Sequence, residues 1–334
     1  MSQTSHTIAV TGATGFVGRA VVRELLSRGH AVRALVRSPV KARDVLGKHE
    51  HLTFVVGDVC DSPALGELLR GAHACVHLVG IIRETRGADR DELPQTFDRM
   101  HVRATGAVVA ACEQGGVRRL LHMSALGVGP EGRTKYQQSK WQAELIVRRS
   151  GLDWTIFRPS LIHGPDGEFV KMMSELVSGN QPPYLFLPYF VRLTVDMSVP
   201  LGPIDVEPAI VQPVSVLDVA SAFASAIERP ASIGEVYNLV GSERLNWQEL
   251  TETFRDTLPA GKKGMGTWFV PGVHASYIAK AADFVGLGGL LPFDEGQALM
   301  ATEDSTADPA KARVDLGVEP RPFRAALREY ADQV

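Results

Sequence analysis

The chain has 334 residues, of which 45% are hydrophobic and 22% charged, so it is long enough for one large domain with an appended lobe, or for two modest domains. Its 35 basic and 38 acidic residues give a formal net charge of -3, which argues against a nucleic acid as partner. The three cysteines are far apart in the sequence and form no CxxC pair, so they indicate neither a disulfide framework nor a zinc knuckle, and they fit a reducing compartment.

The start of the chain and its apolar stretches bear on location. The polar start MSQTSHT has neither the basic region nor the long apolar region of a secretory signal, so we expect a cytoplasmic protein. The apolar stretches 183–195 and 270–291 are both interrupted by charged residues, so neither predicts a transmembrane segment. A peripheral contact with a membrane or a protein, and the oligomeric state, are left open.

Short β-rich runs alternate with helical patterns along the chain. The predicted strands cover residues 8–10, 32–36, 52–56, 75–79, 120–123, 154–157 and 236–240. Helical patterns follow the first strand and also cover about 95–113, 134–149 and 216–228. Alternation of this kind predicts an α/β fold in which a parallel sheet is covered on both faces, a doubly wound sheet of the Rossmann type.

The alternation weakens after Gly164, where prolines recur in an apolar, aromatic segment that is not a central strand. We therefore predict a nucleotide-binding domain over residues 1–165, completed by about 211–241. A smaller C-terminal substrate lobe is predicted over 166–210 and 242–334. The aromatic side chains of this lobe indicate an ordinary core, a pocket for a lipophilic substrate or a docking surface; they are Tyr184, Phe186, Tyr189 and Phe190.

The sequence TGATGFVG, residues 11–18, follows the first predicted strand and opens the first predicted helix. In this context Gly12 permits a tight turn, and Gly15 lets the backbone approach a pyrophosphate at the helix N-terminus. Gly18 lets the helix pack closely on the strand. The spacing predicts a nucleotide-binding loop rather than a turn without a ligand.

Residues at the ends of the second and third predicted strands bear on the choice of nucleotide. Arg37, with Ser38 and Lys41 beside it, occupies the place where an acidic residue would bind the ribose hydroxyls of NAD. The charge of Arg37 favours the 2′-phosphate of NADP(H), so NADP(H) is favoured over NAD(H). Asp58, after the third strand, is predicted to accept a hydrogen bond from the adenine amino group, although such an aspartate also forms turns.

A candidate catalytic group lies on the third predicted helix, in the sequence YQQSK. Tyr136 and Lys140 are four residues apart and therefore lie on one face of that helix. A lysine ammonium near a phenol favours the phenolate, so we expect the pKa of Tyr136 to lie below its ordinary value of about 10. Ser124, which ends the fifth predicted strand, is placed to orient the same substrate oxygen.

Taken together, TGATGFVG, Asp58-Val59, Ser124, YQQSK and the later RPSLIHGP resemble the extended or atypical branch of the short-chain dehydrogenase/reductase superfamily. The stretches VRALVRSP, HVRATGAVVAACEQGGVRRLLHMSALGV and VQPVSVLDVA are most similar to NAD(P)-binding proteins related to the nucleotide-binding accessory subunit of respiratory complex I. The resemblance implies a catalytic set of Ser124, Tyr136 and Lys140. It also implies cofactor contacts at Gly12, Thr14, Gly15, Phe16, Val17, Gly18, Arg37, Asp58, Val59, Leu78, Val79, Gly80, Lys140, Pro159, Ser160 and Leu161.

Two features depart from the pattern of nucleotide-sugar epimerases in this superfamily. The interval from Ser124 to Tyr136 is short, and His101 stands where those enzymes commonly carry an asparagine. His49 and His51 are interpreted as solvent-facing rather than as metal ligands, and no metal site is predicted. His122 and His163 lie beside the proposed site, either as active-site lining or as satisfied histidines near strand ends.

The sequence thus favours an NADP(H)-dependent oxidoreductase that transfers hydride between the nicotinamide and a carbonyl or alcohol carbon. Tyr136 would be its general acid and base, and the small-molecule substrate is unidentified. A non-catalytic NADPH-binding assembly or redox-sensor protein is the alternative from another class. A nucleotide-sugar epimerase or dehydratase is a third interpretation.

Overall fold

The computed structural model describes residues 5–85, 93–195, 204–284 and 293–334. The chain divides into two compact units, and each unit is built from three separate segments of the sequence. Unit 1 comprises Met1–Pro159, Val216–Leu239 and Asp308–Glu319, and unit 2 comprises Ser160–Ser215, Val240–Ala307 and Pro320–Val334. The end of the apolar stretch 270–291, beyond residue 284, lies outside the described residues.

A seven-stranded, fully parallel sheet forms the centre of unit 1. Its strands are β1 (Thr7–Thr11), β2 (Ala31–Val36), β3 (Leu52–Val56), β4 (Ala74–His77), β5 (Arg119–Met123), β6 (Asp153–Pro159) and β12 (Glu235–Leu239). They are ordered β12-β6-β5-β4-β1-β2-β3, so the chain starts at β1 and winds outward in both directions. This order confirms the predicted doubly wound parallel sheet, and all seven predicted strand segments are present.

The helices of unit 1 cover the sheet on both faces. They are α1 (Phe16–Ser27), α2 (Pro39–Leu46), α3 (Ser62–Leu69), α4 (Ala104–Gly115), α5 (Lys135–Arg149), α7 (Val216–Ile227) and α11 (Ala310–Leu316). Helices α3, α4 and α5 share one core with alternate strand residues such as Ala9, Cys75 and Leu120. On the other face α1 packs along α7, and the rings of Phe157 and Phe223 are 4.2 Å apart.

The helix predicted over about 95–113 begins with a wide turn. Residues Asp98–Arg103 form a π-helical turn, and α4 continues directly from it. Such wide turns inside helices recur at functional sites because they redirect side chains that a regular helix would place elsewhere. This turn carries His101 and Arg99.

Helix α11 belongs to unit 1, although the sequence-based division assigned residues 308–319 to the smaller lobe. It packs on α7 and β12. The Tyr237 hydroxyl donates to Asp315 (3.0 Å), and Arg229 donates to the Asp315 carbonyl (2.8 Å). These are contacts between residues that are far apart in the sequence, so local patterns could not reveal them.

Unit 2 combines small sheets with helices around an aromatic core. Its strands are β7 (Ile162–His163), β8 (Leu187–Val195), β9 (Ile204–Pro208), β10 (Ile210–Val211), β11 (Val214–Ser215), β13 (Leu245–Asn246) and β14 (Thr267–Pro271). Its helices are α6 (Glu168–Val177), α8 (Trp247–Thr257), α9 (Gly272–Phe284), α10 (Glu295–Met300) and α12 (Phe323–Tyr330). Phe254 and Phe323 are fully buried in its core. Among the described residues, no helix is long and apolar enough to cross a membrane.

Candidate cofactor and catalytic site

The glycine loop between β1 and α1 is packed so tightly that two of its positions require glycine. Gly12 has φ +75°, and a Cβ there would lie 2.9 Å from the carbonyl carbon of Leu78. A Cβ on Gly18 would lie 2.0 Å from the carbonyl oxygen of Gly12. The loop therefore folds back on the start of α1 and rests against the residues that follow β4.

Gly15 is the N-cap of α1 and provides no side-chain cap for the helix. The first turn of α1 carries no acidic residue, so the positive end of the helix is not neutralised locally. Thr14 and Gly15 are exposed, whereas Val17 is buried in the helix–sheet packing. Free amides at an uncapped helix start are the groups that bind a pyrophosphate.

The loop after β4 is fixed to the glycine loop by a buried histidine that the sequence analysis did not identify. His77 Nδ1 lies 2.7 Å from Thr11 Oγ1, and His77 Nε2 lies 3.1 Å from Thr105 Oγ1. The amide of Leu78 donates to the carbonyl of Thr11 (3.1 Å). Residues 78–80, which are expected to line the ribose side, thus come directly after His77, whose position is fixed by its bond to Thr11 beside Gly12.

Arg37 and Asp58 lie at the ends of β2 and β3. Arg37 is exposed, and the next residue, Ser38, caps α2. Asp58 Oδ2 accepts from Arg99 Nη2 (2.8 Å), and Asp58 Oδ1 accepts from the amide of Cys60 (2.9 Å). Arg99 was not identified from the sequence, because 41 residues separate it from Asp58. The carboxylate expected to meet adenine is therefore already held by protein donors, with buried Val59 beside it.

Helix α5 presents the candidate catalytic residues at its first turns. Thr134 and Gln137 form a reciprocal capping box, which fixes where the helix starts. Lys140 Nζ donates to the carbonyl of Met123 (3.0 Å) and lies 2.8 Å from where a Cβ on Gly80 would stand. Lys140 thus meets the ends of β4 and β5 together.

Ser124 follows β5 directly, and its amide donates to the carbonyl of Phe157 (2.7 Å). Its Oγ is buried and has no hydrogen-bond partner among the described residues. A buried hydroxyl without a partner is costly, which is typical of a group that bonds a ligand. The half-buried Tyr136 ring lies edge-on to Phe97 and His101, at centroid distances of 5.9 and 5.5 Å.

The expected lowering of the Tyr136 pKa is wrong for this structure. Burial raises the pKa of Tyr136 to about 12. Burial also lowers the pKa of Lys140 to about 8, opposed by the nearby Glu144 carboxylate. The effect of removing the phenol from water exceeds any stabilisation of a phenolate by Lys140, whose ammonium bonds the Met123 carbonyl instead.

The remaining predicted residues lie on both sides of the division between the units. Pro159 ends β6 in unit 1, whereas Ser160 and Leu161 begin unit 2. Ser160 Oγ donates to the carbonyl of Gln212, and the Leu161 carbonyl accepts from Val214 (2.9 Å). Both of these residues are therefore fixed within unit 2.

Two histidines near strand ends are buried, but the interpretation that their hydrogen bonds are satisfied is wrong, because three of their four ring nitrogens have no partner among the described residues. His122 lies beside His77 with ring centroids 5.4 Å apart, and neither of its ring nitrogens has a partner among the described residues. His163 Nδ1 lies 3.0 Å from the Tyr330 hydroxyl in unit 2. Within the described ranges no group of three or more His, Cys, Asp or Glu is placed to hold a metal ion.

The aromatic segment of unit 2 is only partly buried. Tyr184 is exposed, Phe186 lies 6.3 Å from the Trp268 ring, and Phe190 lies edge-on to Phe293 at 5.0 Å. The fully buried aromatic core of unit 2 is instead built from Phe254 and Phe323. The aromatic side chains of this segment are therefore less buried than Phe254 and Phe323, although its strand β8 is the middle strand of a three-stranded sheet.

Residues 12–180, which include the glycine loop, β4, β5 and α5, match the NAD(P)H-binding family. The chain belongs to that family. Its fold is that of the extended short-chain dehydrogenases/reductases, which confirms the resemblance noted from the sequence.

Two of the similar proteins carry the same name in different organisms. NADH dehydrogenase [ubiquinone] 1 alpha subcomplex subunit 9, mitochondrial, from Rattus norvegicus is 27% identical over 328 residues, covering 94% of this chain and 76% of the subunit. The Dictyostelium discoideum subunit of the same name is 27% identical over 259 residues, covering 76% of this chain but only 65% of the subunit.

Solved structures match over nearly the whole chain. The crystal structure of gox2253 has a TM-score of 0.70 at 26% identity and covers 99% of this chain and 98% of its own. The Escherichia coli NADPH-dependent quinone oxidoreductase QOR2, complexed with NADPH, has a TM-score of 0.65 at 19% identity and covers 97% of this chain and 98% of its own. At that identity the second structure shows the shared fold alone.

Proposed function

We propose that this chain is an NADP(H)-dependent oxidoreductase that moves hydride between the nicotinamide and a carbonyl or alcohol carbon of a lipophilic or quinone-like substrate. One observation carries the proposal: Lys140 Nζ bonds the Met123 carbonyl at the end of β5 and lies 2.8 Å from where a Cβ on Gly80, in the loop after β4, would stand. The next residue after Met123 is Ser124, whose buried Oγ has no partner among the described residues. Ends of adjacent parallel strands are where an open α/β sheet binds its ligand. A cytoplasmic location stays a prediction from the sequence.

The residues present fit a nicotinamide dinucleotide. The uncapped start of α1 and the tight turn at Gly12 would hold the pyrophosphate, and residues 78–80 would line the ribose side. Val59 would flank adenine, and exposed Arg37 would pair with a 2′-phosphate. Pro159 would back the nicotinamide, as the family resemblance implies, and Ser160 and Leu161, which begin unit 2, stay predictions from the sequence. The cofactor, when bound, supplies or accepts the hydride.

Side chains of the protein would supply the proton that the substrate oxygen takes up. With a pKa of about 12, the Tyr136 phenol is protonated at pH 7 and is suited to donate to a carbonyl oxygen as that oxygen gains charge. Ser124 Oγ would donate a hydrogen bond to the same oxygen. Lys140, with a pKa of about 8, is mostly protonated at pH 7, and its ammonium, fixed on the Met123 carbonyl, would hold the ribose of the cofactor. These roles favour reduction of a carbonyl near neutral pH.

Calorimetric titration of nucleotide-stripped protein with NADPH and NADH tests the cofactor assignment. We expect NADPH to bind at least about 10-fold more tightly than NADH, and Arg37→Ala to remove that preference without weakening NADH, since each charge-assisted phosphate bond is worth about 1.5–3 kcal/mol. Arg43→Ala is the matched control, because Arg43 is also basic and exposed but lies in the last turn of α2. Equal affinity for both nucleotides in the parent protein would refute the NADP(H) preference.

The role of Tyr136 is tested by following NADPH oxidation against a panel of ketones and quinones. Tyr136→Phe is expected to bind NADPH normally and to lose about 100-fold or more in turnover, the usual contribution of a general acid. Turnover at the parent rate by Tyr136→Phe would exclude this mechanism.

A second candidate is a non-catalytic protein that holds NADPH as a structural element or redox sensor. It is favoured by the two relatives reported above, which carry the name of an NADH dehydrogenase subunit. Rapid exchange of bound NADPH and its oxidation by a ketone or quinone would contradict this candidate. A nucleotide that exchanges over hours and is not oxidised by any of the panel would support it.

A further inference from the structure

His101 is the best-connected side chain near α5 to which neither the family resemblance nor the proposed mechanism gives a role. It lies in the π-helical turn that precedes α4 and is buried, with 1% of its surface exposed. Both of its ring nitrogens have partners, on two different segments of unit 1. One segment is the loop after β4, and the other is the first turn of α5.

The directions of these hydrogen bonds fix the tautomer of His101. The amide of Ile81 is only a donor, and it lies 3.1 Å from Nε2, so Nε2 must carry a lone pair. A neutral imidazole then carries its hydrogen on Nδ1, which lies 2.8 Å from Ser139 Oγ. Ser139 accepts this hydrogen bond and donates its own hydrogen to the carbonyl of Tyr136 (2.9 Å). The chain of bonds runs in one direction from Ile81 to Tyr136.

The His101 ring also contacts the side chain of Tyr136. The two rings meet edge to face at 5.5 Å and 82°, and Phe97 stacks on His101 at 5.4 Å. Tyr136 is thus held at its main-chain carbonyl and at its ring by the same imidazole. A Cβ on Gly80 would lie 2.8 Å from Lys140 Nζ and 3.5 Å from His101 Nε2. The side chains of Lys140 and His101 therefore both lie against Gly80.

The charges around His101 favour its neutral form. Burial is the main cause that lowers the pKa of His101, to about 2, and the Lys140 ammonium adds to it. His77 also lowers this pKa. His101 in turn contributes to lowering the pKa of His122, which lies in the same buried group. The imidazole therefore keeps one tautomer throughout the neutral range.

We propose that His101 is a positioning residue that uses its Nδ1–H tautomer to set Tyr136 and α5 against the loop at Gly80 and Ile81. This role rests on the proposed function of Tyr136. It accounts for the histidine in place of asparagine, because an asparagine side chain offers the same pair of groups, one acceptor and one donor. A side chain without both groups would leave the Ile81 amide and Ser139 without their partner.

The tautomer is tested without cofactor or substrate. In a long-range ¹H–¹⁵N spectrum of the intact chain, the His101 ring is assigned by its loss in His101→Asn. We expect an Nδ1–H pattern that does not change between pH 5 and pH 8. An Nε2–H pattern, or titration between pH 6 and pH 7, would overturn the inference whatever the protein catalyses.

The positioning role is tested with three variants and a control. We expect His101→Leu and Ser139→Ala to lower kcat about 10- to 100-fold with little change in the KM of the ketone or quinone used, because a misplaced catalytic group costs rate. His101→Asn is expected to restore most of kcat, and exposed His51→Asn to leave it unchanged. Ser139→Ala removes one atom and breaks the same chain, so it keeps the test valid if His101→Leu fails to fold.

Two results would separate the failure of this inference from failure of the proposed function. If the parent protein oxidises NADPH and His101→Leu and Ser139→Ala both keep its kcat, the positioning role is wrong while the function stands. If the parent has no activity with any probe but His101 shows a fixed Nδ1–H tautomer, the hydrogen-bond chain stands and the oxidoreductase proposal is what fails.

Discussion

Unit 1 and unit 2 differ most in what they bury. Unit 1 buries three imidazoles and one ammonium near the carboxyl end of its sheet, and some of these polar atoms have no partner in the described residues; the four residues are His77, His101, His122 and Lys140. Unit 2 is organised around apolar and aromatic side chains such as Phe254 and Phe323. Unpaired buried polar groups cost about 1–3 kcal/mol each. Unit 1 therefore concentrates buried ionisable groups at one edge of its sheet, whereas the core of unit 2 consists mainly of apolar side chains.

The largest expected difference between the two units is the stability that each loses in acid. Unfolded imidazoles take up a proton near pH 6.5, whereas burial lowers the folded pKa of His77 to about 3 and of His101 to about 2. Below pH 6.5 the unfolded chain binds more protons, so the stability present above that pH falls as the pH drops toward those folded values. At pH 5 the expected loss is about 2 kcal/mol for each histidine, hence about 4 for these two. His163, with a folded pKa of about 4, costs unit 2 about 2 kcal/mol by the same arithmetic.

The measurement is urea unfolding at pH 7 and pH 5, followed by tryptophan fluorescence. Trp141 and Trp154 belong to unit 1, and Trp247 and Trp268 belong to unit 2, so replacing either pair with phenylalanine leaves a reporter for the other unit. A larger loss of stability at pH 5 for the unit 2 reporters would contradict the comparison.

Two glycine substitutions should next distinguish the cofactor loop from ordinary tight packing. Gly18→Ala places a Cβ 2.0 Å from the Gly12 oxygen, so we expect a loss of about 3 kcal/mol and NADPH binding weakened more than about 10-fold. Gly261→Ala in unit 2 creates a similar clash, 1.9 Å from the Arg255 oxygen. It should lose comparable stability while the remaining folded protein binds NADPH normally. The NADPH affinity of both variants is measured by calorimetry below their unfolding temperatures. Normal NADPH binding by Gly18→Ala would show that the glycine loop is not part of the cofactor site.

A buried polar side chain holds distant segments together in each unit. Arg119 Nη2 donates to Thr155 Oγ1 (2.8 Å), the Ala226 carbonyl (2.8 Å) and Ser232 Oγ (2.7 Å). Gln212 Nε2 donates to the Gly241 carbonyl (2.7 Å) in unit 2. We expect Arg119→Met to cost about 3 kcal/mol and Gln212→Leu about 2, because bonds from a charged donor are the stronger. Urea unfolding measures both, and the reverse order would show that the charge of Arg119 adds nothing.

The smallest expected effect is a small gain in stability. Gly66 lies inside α3, and a Cβ there would meet no atom within 4 Å. Gly66→Ala should therefore stabilise unit 1 by about 0.5–1 kcal/mol, since glycine in a helix loses more chain entropy on folding. Thermal unfolding of this variant gives the baseline against which Gly18→Ala is read. A destabilised Gly66→Ala would show that any added methyl group in unit 1 is harmful, and would weaken the interpretation of the loop.

Much of unit 1 could be predicted from the sequence because its signals are local. Strand segments were found by their β-rich runs, and α5 by its helical pattern over 134–149; the structure then shows a capping box of Thr134 and Gln137 at its start. The glycine spacing also predicted the turn that Gly12 and Gly18 make. The pKa of Tyr136 was predicted in the wrong direction, because the spacing to Lys140 says nothing about burial. Arg99 and His77 were missed, because their partners are 41 and 66 residues away in the sequence.

The sequence by itself determined the order of strands and helices, the glycine loop and the family, because periodicity, turn chemistry and motif spacing are properties of neighbouring residues. Only the tertiary structure decided that α11 joins unit 1, that Asp58 is held by Arg99, and that His101 bonds both Ile81 and Ser139. Hydrogen-bond partners and burial depend on which distant segments meet. For the same reason the protonation states of Tyr136, Lys140 and His101 follow from the folded environment and not from the order of the residues.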